Sequence, residues 1–340
     1  MALSNKNAGS SLREVAARTG VTSATASRVL NNPNFKVLPE TRERIERVAA
    51  ELGYRPNRAA RSLATGRTQA VALCTPTLHS AHTARVISDA LAEITPHGYE
   101  VLVSEVRVDA NGGIDIEKLR SLPVDAIIFS DMPHGVLTDL DNSHLYGKPF
   151  VNFGAYVAPQ ADHIQVDLRK CSEQAIRHLH TMGCRRIAYM VWDMLDWFGK
   201  TADARLVAYE TATTELGIKP EFILTTDASR RTAGSALTEH IARFGCPDAL
   251  FCFNDETAIG ALRALCDLGI SVPNDVAIVG CDGIEETAYH NPSLTTVAMP
   301  ITEMCRWAWQ ALERRMQDPT LPLQQTVIQP RLEIRESTRR

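Results

Sequence analysis

Between Thr22 and Asn31 the chain carries small polar and basic side chains, Thr-Ser-Ala-Thr-Ala-Ser-Arg-Val-Leu-Asn, in a pattern suited to reading DNA. Ser23, Ala24, Ser27, Arg28 and Asn31 recur at about one helical turn, so on a helix they share one face. Serine offers a base edge a small hydrogen-bonding contact and alanine an apolar one. Arginine offers a fork of donors that matches O6 and N7 of guanine. Catalytic constellations are poor by comparison. Gly199-Lys200-Thr201 resembles the end of a phosphate loop, but Met194 stands where the first glycine is required, so the backbone cradle is lost. Neither a Gly-x-Ser-x-Gly turn nor a His-Glu-x-x-His pair occurs. His178, His180 and Cys184 stand at helical spacing, yet such a trio is far more often a packed or solvated face than a metal site. The expectation is a protein with no enzymatic activity, no cofactor and no metal.

Such a stripe needs a rigid support. Ser11 followed by Glu14 has the pattern of a capping box, and Leu12, Val15 and Ala16 give a first helix its apolar side, predicted to end near Arg18. Gly20 supplies the turn, and Thr22 can cap a second helix. Val21 and Ala26 are placed as a hydrophobic staple, with Val29 and Leu30 continuing the buried side. This segment alone leaves a second reading open, an ordinary amphipathic helix pair in a small domain.

The chain beyond it adds a third helix after Leu38-Pro39, with Ile45, Val48, Ala49 and Leu52 inward, then a Gly53 stop and a short basic segment. Glu14-Val-Ala, Gly20-Val-Thr, Ser27-Arg-Val-Leu-Asn and Leu52-Gly-Tyr-Arg-Pro-Asn-Arg-Ala-Ala-Arg-Ser-Leu63 together resemble the headpiece of the lactose/galactose repressor family. Ala26 replaces the usual valine and Leu38 the usual capping serine, and losing a cap costs about 1 kcal/mol. The resemblance implies DNA contacts from Ser11, Thr22, Ser23, Ala24, Thr25, Ser27, Arg28, Asn31 and Tyr54. It also implies a hinge helix in the minor groove, with contacts from Asn57, Arg58 and Ala60 and with Leu63 wedged between base steps.

Charge distribution agrees. Residues 1–68 carry 12 Lys and Arg against 5 Asp and Glu, a balance of +7, and the remainder carries 24 against 35, a balance of −11. A basic head on an acidic body fits polyanion binding by the head alone. The polar start has no apolar run, and no stretch is long and apolar enough to span a membrane, so a cytoplasmic location is expected. The eight cysteines lack Cys-x-x-Cys spacing and read as reduced core residues.

From Ala70 onward, strand and helix patterns alternate. Strands are predicted at 70–74, 99–104, 125–130, 150–153, 186–191, 222–224, 249–253 and 276–281, with helical segments between them. That alternation argues two doubly wound parallel sheets, with ligands beyond the carboxyl ends of the strands. The resemblance continues through Asn254-Asp-Glu-Thr-Ala-Ile-Gly-Ala, Val272-Pro-Asn-Asp-Val-Ala-Ile-Val-Gly and Arg335-Glu-Ser-Thr. The fold class expected is an all-α helix-turn-helix headpiece plus an α/β two-lobed periplasmic-binding-protein-like body. Residues 1–55 form the headpiece and 56–69 the hinge and linker. The lobes cover about 70–165 with 297–325, and 166–296 with 326–340.

The resemblance points to Arg205 and Asp282 as effector ligands, with Asn254 a third, and to the neighbourhood of His79, His82 and Trp192. An arginine and an aspartate suit sugar hydroxyls, although an Arg–Asp pair that only clamps the lobes reads the same in sequence. The family's aromatic wall is absent: Ser80-Ala-His-Thr and Ser229-Arg-Arg stand there, with Trp192, Trp197 and Phe198 as replacements. This leaves open a sugar derivative more polar or anionic than a plain hexose, or a degenerate pocket. The implied protein is a transcriptional regulator, a repressor, that binds near-palindromic double-stranded operator DNA as a homodimer under a small-molecule effector. The close of the chain at Arg340, without a heptad helix, favours a dimer. The competing class is a two-lobed small-molecule binding protein, which needs a signal peptide and no basic head.

Overall fold

Ser11 starts the first helix by accepting the Glu14 N–H at 3.3 Å, and α1 (Leu12–Thr19) ends where Gly20 takes φ +66°. Thr22 repeats the device for α2 (Ser23–Asn31), accepting the Thr25 N–H at 3.1 Å. α3 (Pro39–Glu51) begins at Leu38 without a side-chain cap, and Pro39 in its first turn has no N–H to satisfy. Val15, Ala16, Ala26, Val29, Ile45, Val48 and Ala49 close the buried core of the three helices, with Leu12, Val21 and Leu52 packed on it. The shorter Ala26 is fully buried there.

The computed structural model describes residues 11–31, 34–55, 62–63, 65–107, 114–132, 145, 147–192 and 203–339. Asn57, Arg58 and Ala60 of the expected hinge, and Trp197 and Phe198, lie outside the described residues. The chain divides into two compact units, Met1–Thr68 and Gln69–Arg340.

The second unit contains two lobes. The first is built from β1 (Ala70–Thr75), α4 (Ala81–Ile94), β2 (Glu100–Glu105), α5 (Ile116–Ser121), β3 (Ala126–Ser130), β4 (Phe150–Gly154) and β5 (Asp162–Val166). The second takes α6 (Leu168–Thr181), β6 (Ile187–Trp192), α7 (Ala204–Glu215), β7 (Glu221–Thr225), α8 (Arg230–Phe244), β8 (Ala249–Cys252), α9 (Asp255–Asp267), β9 (Ala277–Asp282) and β10 (Thr295–Ala298). The chain then returns: α10 (Ile301–Gln317) packs on α4 and β4, β11 (Gln325–Ile328) joins the first sheet and β12 (Arg331–Glu333) the second.

The sheets run β11-β5-β4-β3-β1-β2 and β12-β10-β9-β8-β6-β7, with β12 antiparallel to β10 and the other pairs parallel. Strand order reverses between β1 and β3 and again between β6 and β8, which opens a crevice at the carboxyl edge of each sheet. The crossings between lobes fall slightly later than expected: β5 runs through Val166, β10 through Ala298 and β11 through Ile328. Strand pairing sets these limits, and the local apolar pattern does not reveal them.

β5 and β11 escape sequence reading because polar residues stand in them. Asp162, only 3% exposed, is stabilised from a distant part of the chain. Arg315 at the end of α10 donates to both its oxygens, each at 2.8 Å, and also to the carbonyls of Pro319, Leu321 and Pro322. The Gln324 N–H adds a third donor at 2.8 Å, so one bidentate pair ties helix, loop and strand together. Asp162→Ala strands the Arg315 guanidinium without its counter-charge and should lower the unfolding free energy of the second unit by about 3–5 kcal/mol in a urea titration. A loss within about 0.5 kcal/mol, as at an ordinary surface position, would show that the pair is dispensable.

Candidate functional site

The headpiece presents α2 as its polar surface. Ala26 and Val29 point into the core, while Thr22, Ser23, Ala24 and Arg28 are exposed and Thr25, Ser27 and Asn31 are half-buried. The hydroxyls of Thr22 and Thr25 lie 2.9 Å apart, and Asn31 Nδ2 donates to the Ser27 carbonyl at 2.8 Å. Tyr54 is half-buried against the three-helix core, and its backbone N–H closes α3 onto Ala49 at 2.8 Å. Leu63 is 88% exposed.

Sequence reasoning missed Phe35. The Arg28 guanidinium lies over its ring, 5.8 Å from the centroid, and no carboxylate among the described residues pairs with Arg28. Arg42 donates to the carbonyls of Val29 at 3.2 Å and Phe35 at 2.8 Å, pinning the loop that carries the ring to the end of α2. A cation held over an aromatic face keeps its edge donors free for a base or a phosphate.

The second cluster lies at the carboxyl ends of the strands in both lobes. Asp131 directly follows β3, at φ +51°, and accepts His82 Nε2 at 2.9 Å and the Ala155 N–H at 3.1 Å. His82 lies in the first turn of α4, which Ser80 caps. Gly154 leaves room for the acid, since a Cβ there would sit 2.1 Å from an Asp131 oxygen. In the second lobe, Asp203 grips Arg205 through Nε at 3.0 Å and Nη2 at 2.9 Å. Arg205 also donates to the Phe253 carbonyl at 2.9 Å, lies 3.6 Å from the Phe253 ring centroid and reaches the hydroxyl of Tyr156, in the other lobe, at 3.4 Å.

The Arg205–Asp282 clamp that the sequence left open as an alternative is not formed: Asp203, two residues before Arg205, takes the guanidinium. Asp282 ends β9 at φ +129°, is 8% exposed, and its carboxylate receives no donor among the described residues. Burial, reinforced by Asp255 and Asp131, raises its pKa against the opposing pull of His82 and Arg205. Asp255 is better provided, accepting from Thr296 at 2.7 Å, Gly283 at 2.7 Å and Ile284 at 2.9 Å. It fits over Gly280, where a Cβ would come within 2.1 Å of its oxygen.

The other expected ligands sit at varied distances from this chemistry. Asn254 caps α9, its side-chain oxygen accepting the Thr257 N–H at 2.8 Å, so that oxygen is committed to the helix. Trp192 is half-buried at the end of β6. His79 is exposed and does not join the cluster, while Arg230 is taken up by Glu256. Glu256 also accepts the Ala81 N–H from the first lobe at 3.3 Å. Tyr156, Phe253, Asp131 and Asp203 were missed by sequence reasoning. The usable signal for Asp131 and Phe253 is their place immediately after an apolar strand.

These features define a class: a three-helix unit with an exposed polar recognition face and, in the same chain, a two-lobed parallel α/β body with a polar cleft. The profile of the bacterial regulatory proteins of the lacI family matches residues 11–57, and that of the periplasmic binding protein-like domain residues 176–338. The HTH-type transcriptional regulator AscG of Escherichia coli (strain K12) is 31% identical over 86% of this chain and 87% of its own length. The lac repressor dimer bound to operator and the anti-inducer ONPF superposes with a TM-score of 0.80 at 24% identity, covering 97% of this chain and 99% of that one. A LacI family transcriptional regulator from Arthrobacter sp. FB24 in complex with lactose gives 0.69 at 25% identity over 79% and 99%. The chain belongs to the lacI family of bacterial regulatory proteins.

His82 gives the cleft a pH signature. Burial alone would lower its pKa, but Asp282, Asp131 and Asp255 push it from 6.5 up to about 9. A raised value means that the native state holds the proton more tightly, so this stabilisation is complete below pH 6.5 and is lost as pH climbs through about 9. The thermal midpoint of the second unit should fall across that interval, and the fall should be shallower in His82→Gln. Parallel profiles for the two proteins would remove His82 from the charge cluster.

Proposed function

We propose that this protein is a transcriptional repressor that acts in the cytoplasm, performs no catalysis, and binds a near-palindromic operator as a homodimer under the control of a small effector in the cleft. The observation that carries the reading is the union in one chain of the capped α2 stripe, with Arg28 unpaired by any described carboxylate, and a cleft lined with buried polar side chains at two strand edges. Two-fold symmetry places two recognition helices on successive turns of DNA, which converts two weak contacts into one strong one. Lactose in the Arthrobacter relative supports a sugar or sugar derivative as the effector.

On this reading Ser23 and Ala24 touch base edges, Arg28 grips a guanine, and Leu63 wedges the minor groove. Tyr156, Phe253, Arg205 and Asp282 contact the effector from both lobes. The effector acts by favouring one arrangement of the lobes, with a coupling of about 1–3 kcal/mol per site.

The experiment begins with operator selection from random duplexes by the full chain. Arg28→Ala should cost roughly 1–3 kcal/mol on the selected sequence and little on random DNA. An equal loss on both would make Arg28 a phosphate contact. Screening sugars for release of the operator then tests the cleft: the active compound should fail to release Asp282→Asn, and unchanged release would place effector control elsewhere. Leu63→Ser should keep binding but abolish the DNA bend in a mobility assay, and an unaltered bend would refute the wedge.

A further inference from the structure

The helix that carries Arg28 has no acidic residue, and the positions one turn to either side of it, Ala24, Thr25, Asn31 and Asn32, are all uncharged. Other headpiece arginines are answered differently. Arg18 pairs with Glu14, Arg42 with Glu46 and Arg47 with Glu51, each one turn away on its own helix. Arg28 is exposed, and its guanidinium lies instead over the ring of Phe35, 5.8 Å from the centroid, within the range at which a cation is drawn to an aromatic face.

That ring has a fixed place. Phe35 is half-buried against the apolar core of the three helices, and the loop that carries it is tied down by Arg42 of α3. Arg42 donates at 3.2 Å to the carbonyl of Val29, one of the last four of α2, which the helix itself cannot pair. It donates at 2.8 Å to the carbonyl of Phe35, and Glu46 on α3 accepts from it at 3.5 Å. Helix end, loop and ring are thus joined to α3, and the position of the ring beneath Arg28 follows from that packing.

A carboxylate in place of the ring would also order Arg28, but it would occupy the N–H groups that a base edge needs. The ring occupies none of them. It attracts the cation through its face, leaves the edge donors free, and limits the rotamers that a long side chain must give up on binding.

We infer that Phe35 is a positioning residue for base reading: its ring sets the orientation in which Arg28 meets a guanine, and so raises the discrimination at that one base pair. This rests on the reading of Arg28 as a base contact and adds the residue that makes the contact selective.

The test uses the full chain and the selected operator. The guanine read by Arg28 is the one whose replacement costs affinity in the wild type and nothing in Arg28→Ala. Phe35→Leu keeps an apolar side chain against the core and removes the aromatic face. It should shrink the penalty at that guanine by about two- to fivefold, the worth of an exposed cation–π contact. Penalties at the other base pairs and affinity for random duplexes should stay as they were, Phe35→Tyr should restore the lost discrimination, and Phe35→Leu should add nothing in the Arg28→Ala background. If leucine disturbs the headpiece, random-duplex affinity falls with it. Pentafluorophenylalanine at position 35 then decides, because it keeps the shape of the ring and reverses its charge distribution, and the same loss at the guanine is expected. A guanine penalty untouched by both replacements, a loss spread evenly over all base pairs with pentafluorophenylalanine, or a further loss from Phe35→Leu on top of Arg28→Ala overturns the proposal.

The underlying reading fails differently. If Arg28→Ala weakens operator and random DNA alike, so that no guanine is assigned to it, the base contact is wrong and the positioning role falls with it. If Arg28→Ala erases one guanine penalty and neither replacement of Phe35 alters it, the base contact stands and the ring has no part in it.

Discussion

A buried carboxylate must find a donor or a proton, and the cleft of this protein is organised by that requirement. Four aspartates are brought to the facing edges of two parallel sheets, where strand ends cannot provide backbone partners for them all. Asp131 is answered by a histidine from the first turn of α4, Asp203 by the arginine two residues ahead of it, and Asp255 by two backbone N–H groups and a threonine. Glycines at 154 and 280 permit two of these acids to lie against neighbouring backbone. Asp282 closes β9 without a described side-chain donor, with His82 the main opposite charge acting on it, and His82 Nδ1 is itself buried without a partner among the described residues.

The same economy of partners holds the lobes in register. Tyr156 of the first lobe meets Arg205 of the second at 3.4 Å, and the Ala81 N–H meets Glu256 at 3.3 Å. Neither contact is large. They stand beside a buried apolar cluster that contains residues of both lobes. The Arg315–Asp162 pair serves a different purpose. Carbonyls of Pro319, Leu321 and Pro322 and the Gln324 N–H complete its hydrogen bonds, so it ties the end of α10 to β5.

In the headpiece the division of labour is clearer still. Capping by Ser11 and Thr22, and a turn at Gly20, hold α2 against α1 and α3 through small apolar side chains. Beyond the capping threonine, the core is closed by apolar side chains alone, so the exposed polar residues of α2 are not committed to packing. Phe35 is the exception, since its ring packs on the core and also carries Arg28.

Local chemistry was legible from the sequence. Caps, turns, apolar stripes and the alternation of strands with helices are properties of neighbouring residues, and they identified the headpiece helices, eight of the strands and the two-sheet architecture within a residue or two. Arg205 and Asp282 were reached through family resemblance, and both do lie in the polar cluster at the strand ends. What the sequence could not supply was the choice among partners. Asp203 was not among the expected residues, and only the fold brings it to the Arg205 guanidinium at 3.0 and 2.9 Å, while Asp282 stands at the end of β9. The polar strands β5 and β11, the grip of Arg315 on Asp162 across 153 residues, and the ring of Phe35 beneath Arg28 were likewise invisible. Each depends on segments that meet only after the sheets have formed, so no periodicity within one segment can record it.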